Sequence, residues 1–404
     1  MEAALLGLVT IVIGVGGCLL YYYFSNLFLD KVLFPATGPN AGRNINRANL
    51  VRPWLFVLPA VLALGLYLAY PVFATLWYSV TDRSQGGAFV GLQNYGQMLG
   101  EPKFWEAMRN NMLWLIIVPA TSTAAGLLVA QLTDRLSWGS IAKSLIFMPM
   151  AISFVGASVI FKLIYDTRPV DQAQIGIMNA VWLQFDGGIG SFLFLRLLPA
   201  SLMLIAAAIA LYLAWSFYKT IQEKGGVLLR GFAIIALGYF AFAFGGIAFS
   251  ALTMAFPYGE PQTWLTIPGW NSFLLMVVLI WIQTGFAMVI LSAALRGIPE
   301  ETVEAAIVDG ANPFQVFFKI KLPQISGTIV VVWTTITLTV LKVFDIVFAM
   351  TNGQWESQVL ANYMFDKLFR ANDWGVGSAA AMVIMLLVSP ILIWNVYNAR
   401  KEMR

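Results

Sequence analysis

The chain contains no histidine and a single cysteine in 404 residues, and only 11% of its residues are charged. Each shortage removes a class of chemistry. Without histidine there is no His-centred catalytic triad, no His-ligated haem and no ordinary zinc site. Cys18 alone makes neither an intrachain disulfide nor a cysteine cluster. No G-x-x-x-x-G-K-[ST] occurs, so the chain has no P-loop of its own. A soluble chain carries roughly 25% charged residues. With less than half that share, charges cannot cover a compact body in water. The apolar share is 59%, in continuous rather than alternating runs. That excludes disorder and argues against a transmembrane barrel; the expected fold is an all-α, polytopic membrane helical bundle.

A span needs about 20 apolar residues. Nine stretches qualify: 3–24, 54–80, 109–133, 143–165, 192–218, 229–256, 272–295, 325–350 and 376–397. The first lacks a basic leader and a small-residue cleavage site and reads as a mature span. Lys and Arg divide unevenly between alternate loops. One set, which includes Arg43, Arg135, Lys143, Arg296 and Arg404, holds fifteen; the other, which includes Arg83 and Arg168, holds six. The basic set marks the cytoplasmic side, placing the N-terminus outside and the C-terminus inside. A net charge of +4 fits this bias and needs no nucleic acid. Trp54, Trp77, Tyr78, Trp264, Trp270, Trp374 and Trp394 lie near span ends, where amphipathic rings prefer the headgroup layer.

The cytoplasmic segment 296–323, RGIPEETVEAAIVDGANPFQVFFKIKLP, is the most informative. Pro299 suits a first helical turn, and Glu300, Glu301 and Glu304 suit its positive end. Gly310 can take the left-handed conformation that ends a helix. Asn312 and Pro313 then start a second one, which Pro323 stops. Ala305 and Ala306 let the first helix seat closely in a groove, with Glu304 and Asp309 directed to a basic rim. Phe314, Phe317 and Phe318 are too apolar for free exposure and call for neighbouring spans or a partner. For a generic membrane protein, a plain connecting loop is the default reading.

The spacing Glu304-Ala305-Ala306, Gly310, Ile320 and Leu322-Pro323 resembles the EAA motif of permease subunits of binding-protein-dependent ABC importers. Phe89-Val90-Gly91-Leu92-Gln93-Asn94-Tyr95, Tyr70-Pro71, Phe344-Asp345-Ile346 and Met350-Thr351 are similar to the sugar-importing subgroup, of the maltose/α-glucoside type, and to its larger permease subunit. The resemblance covers 53–182 and 260–400. It implies a six-span core, divided here into 53–186 and 260–404, preceded by an extra span in 1–52 and interrupted by an inserted pair of spans in 187–259. The inserted pair is rich in Phe and Gly (Phe232, Phe240, Phe242, Phe244, Gly245, Gly246), which suggests close helix packing. After Met350-Thr351 the family's usual Gly-Gly-Pro turn is replaced by Asn352-Gly353-Gln354-Trp355.

The resemblance further implies a non-catalytic subunit of a bacterial or archaeal plasma membrane, with no cofactor or metal of its own. Its expected partners are a second permease subunit, forming a heterodimer, two copies of an ABC ATPase carrying ATP and Mg, an extracytoplasmic sugar-binding protein, lipid and the sugar. Glu304, Ala305, Ala306, Asp309, Gly310, Ala311, Ile320, Leu322 and Pro323 are then the ATPase-coupling residues. By alignment through the motif, Gln283, Phe286, Ile336, Val340 and Val343 match positions that line the sugar path. Thr284, Thr334, Thr335, Thr337 and Thr339 add hydroxyls, although membrane threonines commonly bond their own backbone. Lys342 and Asp345, three residues apart, lie on one side of a helix and could pair as path or gate residues. They are also the main support for the alternative, an ion- or proton-coupled carrier. A membrane enzyme would need clustered acids, and Asp166, Asp171 and Asp186 are spread along a loop.

Overall fold

The computed structural model describes residues 2–38, 40–82, 86–134, 136–185, 188–224, 227–253 and 259–402. Arg83, Arg135, Asp186 and Arg404, and the last residues of the 229–256 span, lie outside the described residues. The chain is helical almost throughout, because a span in lipid must satisfy its backbone internally. The described residues contain one short antiparallel ladder, which pairs Thr81–Asp82 with Ala88–Phe89.

Two compact units are present: residues 1–100 with 367–383, and residues 101–366 with 384–404. In the first, α1 (Glu2–Phe28) runs through a π turn, and α2 (Ala41–Leu64) continues through another π turn into α3 (Tyr70–Ser79). The second helical run is therefore much longer than 54–80, and the linker between the first two runs shrinks to a few residues. Arg52 pairs with Asp30 at 2.6 Å across it. The π turn at Gly65–Ala69 precedes Pro71, whose missing N–H breaks the regular ladder.

The second unit holds α4 (Pro102–Thr133), α5 (Gly139–Phe147), α6 (Phe154–Ile164), α7 (Leu198–Lys224), α8 (Val227–Thr253), α9 (Trp270–Arg296), α10 (Glu300–Val308), α11 (Ser326–Leu341) and α12 (Asp345–Met350). Six described helical runs are long and apolar enough to cross a membrane, and two more candidates are bent pairs. The last expected span falls on α13 (Trp374–Glu402), whose apolar run is Trp374–Pro390. The expected continuous span 143–165 is instead broken. Met148–Ala151 forms a 3-10 turn around Pro149, Ser153 caps a new helix through Gly156 N–H, and α6 leaves at 103° to the first segment.

α9 is the hub. Ile282, Ala287, Met288 and Leu291 along it are fully buried with Trp114 and Val118 of α4 and Ala157 of α6. Two glycines allow the close approach. A Cβ at Gly126 of α4 would stand 2.5 Å from the Ala287 Cβ, and one at Gly285 would stand 2.6 Å from the Ile146 carbonyl oxygen. The inserted pair α7–α8 closes on alanines: Ala200 with Ala248 and Ala251, and Ala207 and Ala210 with Ala241. The close packing expected of this pair is present, with Leu237 and Phe244 set against the alanines. Phe232 and Phe242 point outward, and nothing lies within 4 Å of a Cβ at Gly245 or Gly246. Alanines spaced by three or four residues already give a flat face. Trp264 packs within the protein: it is buried, edge-on to Trp182, and donates to Asn179 Oδ1 at 2.9 Å.

Gly285→Ala should cost about 1–3 kcal/mol by overpacking against a backbone that cannot give way. Thermal unfolding of the purified chain should show the loss, whereas Gly245→Ala should leave the transition in place.

Candidate functional site

The segment 296–325 folds as an outward hairpin with both feet in the core. Ile298 and Ile325 belong to the main apolar cluster. Pro299 precedes α10 as its N-cap, one residue earlier than expected, and Glu300 and Glu301 occupy the first turn. The helix ends by a Schellman motif. Gly310 takes φ +83°, its N–H donates to the Ile307 carbonyl at 3.0 Å, and the Ala311 N–H donates to the Ala306 carbonyl at 2.9 Å. Asn312 and Gln315 then close a reciprocal capping box, so the second arm starts at Pro313 as its sequence requires. That arm is bent 70° from α11.

This capping makes α10 a short, fixed projection. Glu304, Ala305 and Asp309 are exposed, Val308 is 85% exposed, and Ile307, Phe314 and Phe318 are also open. Val316 is buried, while Ile320 and Leu322 are half-buried and seat the second arm; Pro323 is exposed at the bend. Phe317 stacks edge-on against Phe318 at 5.0 Å. The hairpin thus displays an apolar patch rimmed by carboxylates, the chemistry of an interaction surface.

Its root carries an ion cluster that sequence reasoning missed. Asp134, just past α4, accepts from Lys143 Nζ at 2.6 Å, Arg296 Nε at 3.0 Å and Ser292 Oγ at 3.3 Å. Lys143 Nζ also donates to Ser292 Oγ at 2.5 Å. The ends of α4 and α9 and the middle of α5 therefore meet at one carboxylate. Partial burial pushes the Asp134 carboxyl up, but the hydrogen bonds and charges of Lys143 and Arg296 outweigh this and hold it below its ordinary value. Lys143 and Arg296 entered the sequence reading only as counts toward sidedness. A lone acid beside basic loop ends was the available signal.

The path residues divide. Ile336 and Val340 are fully buried in the apolar core, and Val343 is nearly so. In this conformation they pack rather than line an open path. The hydroxyls of Thr334, Thr335, Thr337, Thr339 and Thr284 all donate to carbonyls one turn back in their own helices. Lys342 and Asp345 do not share a helical face: α11 ends at Leu341, and α12 starts at Asp345. Among the described residues no ion pair joins them. Lys342 caps the negative end of one helix and Asp345 opens the positive end of the next, so each charge is already matched to a dipole. Phe286 is half-buried. Gln283 differs from all these. It is 8% exposed, yet its amide makes no hydrogen bond among the described residues. The hydroxyls of Ser122 and Thr123 on α4 are fully buried with no partner among the described residues, whereas the Gln283 amide is not fully buried. Ser122 lies four residues before Gly126 and Gln283 four before Ala287, so they share a level in the helix pair.

Known proteins provide the comparison. Residues 206–403 match the family described as binding-protein-dependent transport system inner membrane component. The alpha-glucoside transport system permease protein AglF of Rhizobium meliloti is 50% identical over 100% of this chain and 99% of its own length. The osmoprotective compounds uptake permease protein GgtC of Synechocystis is 36% identical over 87% of this chain and 100% of its own. In fold, the chain is similar to a subunit of a bacterial ABC transporter involved in the import of the acidic polysaccharide alginate. That match has a TM-score of 0.60 and 15% identity, and covers 90% of this chain and 99% of that one.

The Asp134 cluster carries a pH signature. Its folded-state carboxyl is lowered, so its stabilisation is complete above the unfolded value and is lost as pH falls through the folded one. Asp134→Asn should lower thermal stability at neutral pH by about 1 kcal/mol, since Arg296 remains largely exposed. The gap from the unsubstituted protein should close in acid, below the ordinary carboxylate range near about 4. A gap that persists there would assign the loss to packing.

Proposed function

The chain belongs to the family of inner-membrane components of binding-protein-dependent transport systems, and on that premise we propose that it forms half of the translocation path for an α-glucoside or a related sugar. The other half is a second, different permease subunit. Two ATPase subunits, with their ATP and Mg, sit on the cytoplasmic side, and a sugar-loaded binding protein docks outside. The N-terminus is then external and the C-terminus cytoplasmic.

The observation that supports this reading most is α10, which rests on the core through Val303 while Glu304, Ile307 and Val308 on its outer face are exposed among the described residues. A rigid helix with small residues and an acidic rim suits a cleft in a motor protein. Glu304 is the polar anchor, Ala305 and Ala306 permit close seating, and Gly310 sets the bend with Asp309 and Ala311 flanking it. Nucleotide acts by unequal affinity for two arrangements of the spans, and the loaded binding protein acts likewise from outside. Hydrolysis belongs to the ATPase; this chain converts its closure into displacement.

Ser122 and Thr123 on α4, with Gln283 at the same level of α9, support a polar lining for the sugar path on the α4–α9 pair. Buried hydroxyls without partners are costly, and a hydroxylated ligand reaching this face of the pair would satisfy Ser122 and Thr123. Phe286, one turn from Gln283, offers a ring face. A proton-coupled carrier has less support, because a helix break separates Lys342 from Asp345.

In a reconstituted assembly, Glu304→Lys and Gly310→Val should cut uptake at least tenfold and weaken ATPase association, with insertion of the chain unchanged. The valine forces a β-branched residue into a left-handed backbone. Normal uptake by both variants would remove the coupling role.

A further inference from the structure

α4 and α9 are pinned to each other at three levels. At one end, Asn110 Nδ2 donates to the Glu356 and Gln358 carbonyls at 2.8 Å, and Asn271 Nδ2 donates to the adjacent Trp355 carbonyl at 2.6 Å. In the middle, Gly126 lies against Ala287. At the other end, Asp134 binds Arg296. These pairings occur in the same order along both helices, with an almost constant offset in residue number, so the helices run parallel without slipping. From Asn110 to Asp134 the rod is about 36 Å long at 1.5 Å per residue, enough to cross the hydrocarbon layer.

Both ends grip something special. The inner end holds the root of the hairpin. The other end holds a loop whose backbone is strained: Asn352, Trp355 and Glu356 all take left-handed conformations, as does Gly353. Such conformations persist only where surrounding contacts over-determine them. Here Lys103 Nζ donates to the Gly353 carbonyl at 3.0 Å, Glu106 Oε1 accepts from the Gln358 N–H at 3.1 Å, and Arg109 pairs with Glu356 at 3.1 Å. Every one of these clamping side chains comes from α4 or α9.

We propose that the α4–α9 pair is a rigid strut that carries displacement of the inner hairpin to the loop 352–358, with Asp134 as the positioning residue at its inner end. This rests on the coupling role given to the hairpin above. The seam between the two helices, closed by Gly126 against Ala287 and by the buried core around Trp114, Val118 and Met288, resists local bending even at Pro119 of α4. Movement of Arg296 therefore reaches Asn110 and Asn271, and through them the carbonyls of Trp355 and Glu356. The loop then senses nucleotide state on the opposite side of the membrane. Its exposed Trp355 and Glu356 are the surface whose position changes.

The test uses the complete assembly in proteoliposomes, with Cys18→Ser and an environment-sensitive fluorophore on Gln354→Cys, an exposed side chain outside the clamps. A non-hydrolysable ATP analogue supplied to the ATPase side should shift the fluorescence. Asp134→Asn should reduce the shift at least fivefold while the ATPase stays bound, and Asp134→Glu should restore it. Arg296 is largely exposed, so Arg296→Gln offers a variant with little folding risk and should show the same loss. The double variant should be no worse than Asp134→Asn alone. An unchanged shift in Asp134→Asn and Arg296→Gln would overturn the strut, as would the absence of any shift without them. Glu304→Lys separates the two ideas. If it abolishes the shift while Asp134→Asn does not, the strut alone fails; if it leaves the shift intact, the hairpin reading fails too.

Discussion

The structure depends on how closely α9 approaches its neighbours. In lipid, apolar surface gains nothing by choosing protein over hydrocarbon, so helices associate through packing and buried polar contacts. Gly126 against Ala287 and Gly285 against the Ile146 carbonyl bring backbones together where any side chain would hold them apart. α9 in turn carries Gln283 at mid-span and runs directly into the hairpin through Arg296, Gly297 and Ile298. On the proposed function, the path residue Gln283 and the coupling hairpin are thus carried by one helix.

The hairpin illustrates how local rules accumulate. A Schellman glycine, an Asn/Gln capping box and two buried isoleucines each contribute little alone. Together they present α10 in a single orientation, with its outer face left open. A flexible loop with the same residues would lose motion to its own entropy. The ion cluster at Asp134 extends that rigidity past the hairpin to α4 and α5.

Much of this was legible in the sequence, for identifiable reasons. Hydrophobic run length located the spans because a bilayer sets a fixed requirement. Capping signals located α10 and the bend because they are local. What escaped was either non-local or depended on three-dimensional register. Asp134 finds Ser292 and Arg296 from far along the chain, and nothing in a single sequence states that pairing. Ile336, Val340 and Val343 matched lining positions by alignment, yet pack inward here, because which face of a membrane helix meets protein is settled by its neighbours rather than by hydropathy. The break between Lys342 and Asp345 lacks a proline and so left no signal. Close packing of α7 on α8 was legible in their composition, but that alanines, with Phe244 beside them, form the seam was not.

The sidedness of the hairpin is the claim on which coupling stands, and it has a direct measurement. In a Cys18→Ser background, cysteines replace Val308 on α10 and Val170 in the loop between α6 and α7, both well exposed. Sealed right-side-out vesicles are treated with a membrane-impermeant thiol reagent. Val170→Cys should be modified, and Val308→Cys should react only after the vesicles are opened. Modification of Val308→Cys in sealed vesicles would place the hairpin outside, out of reach of any cytoplasmic motor.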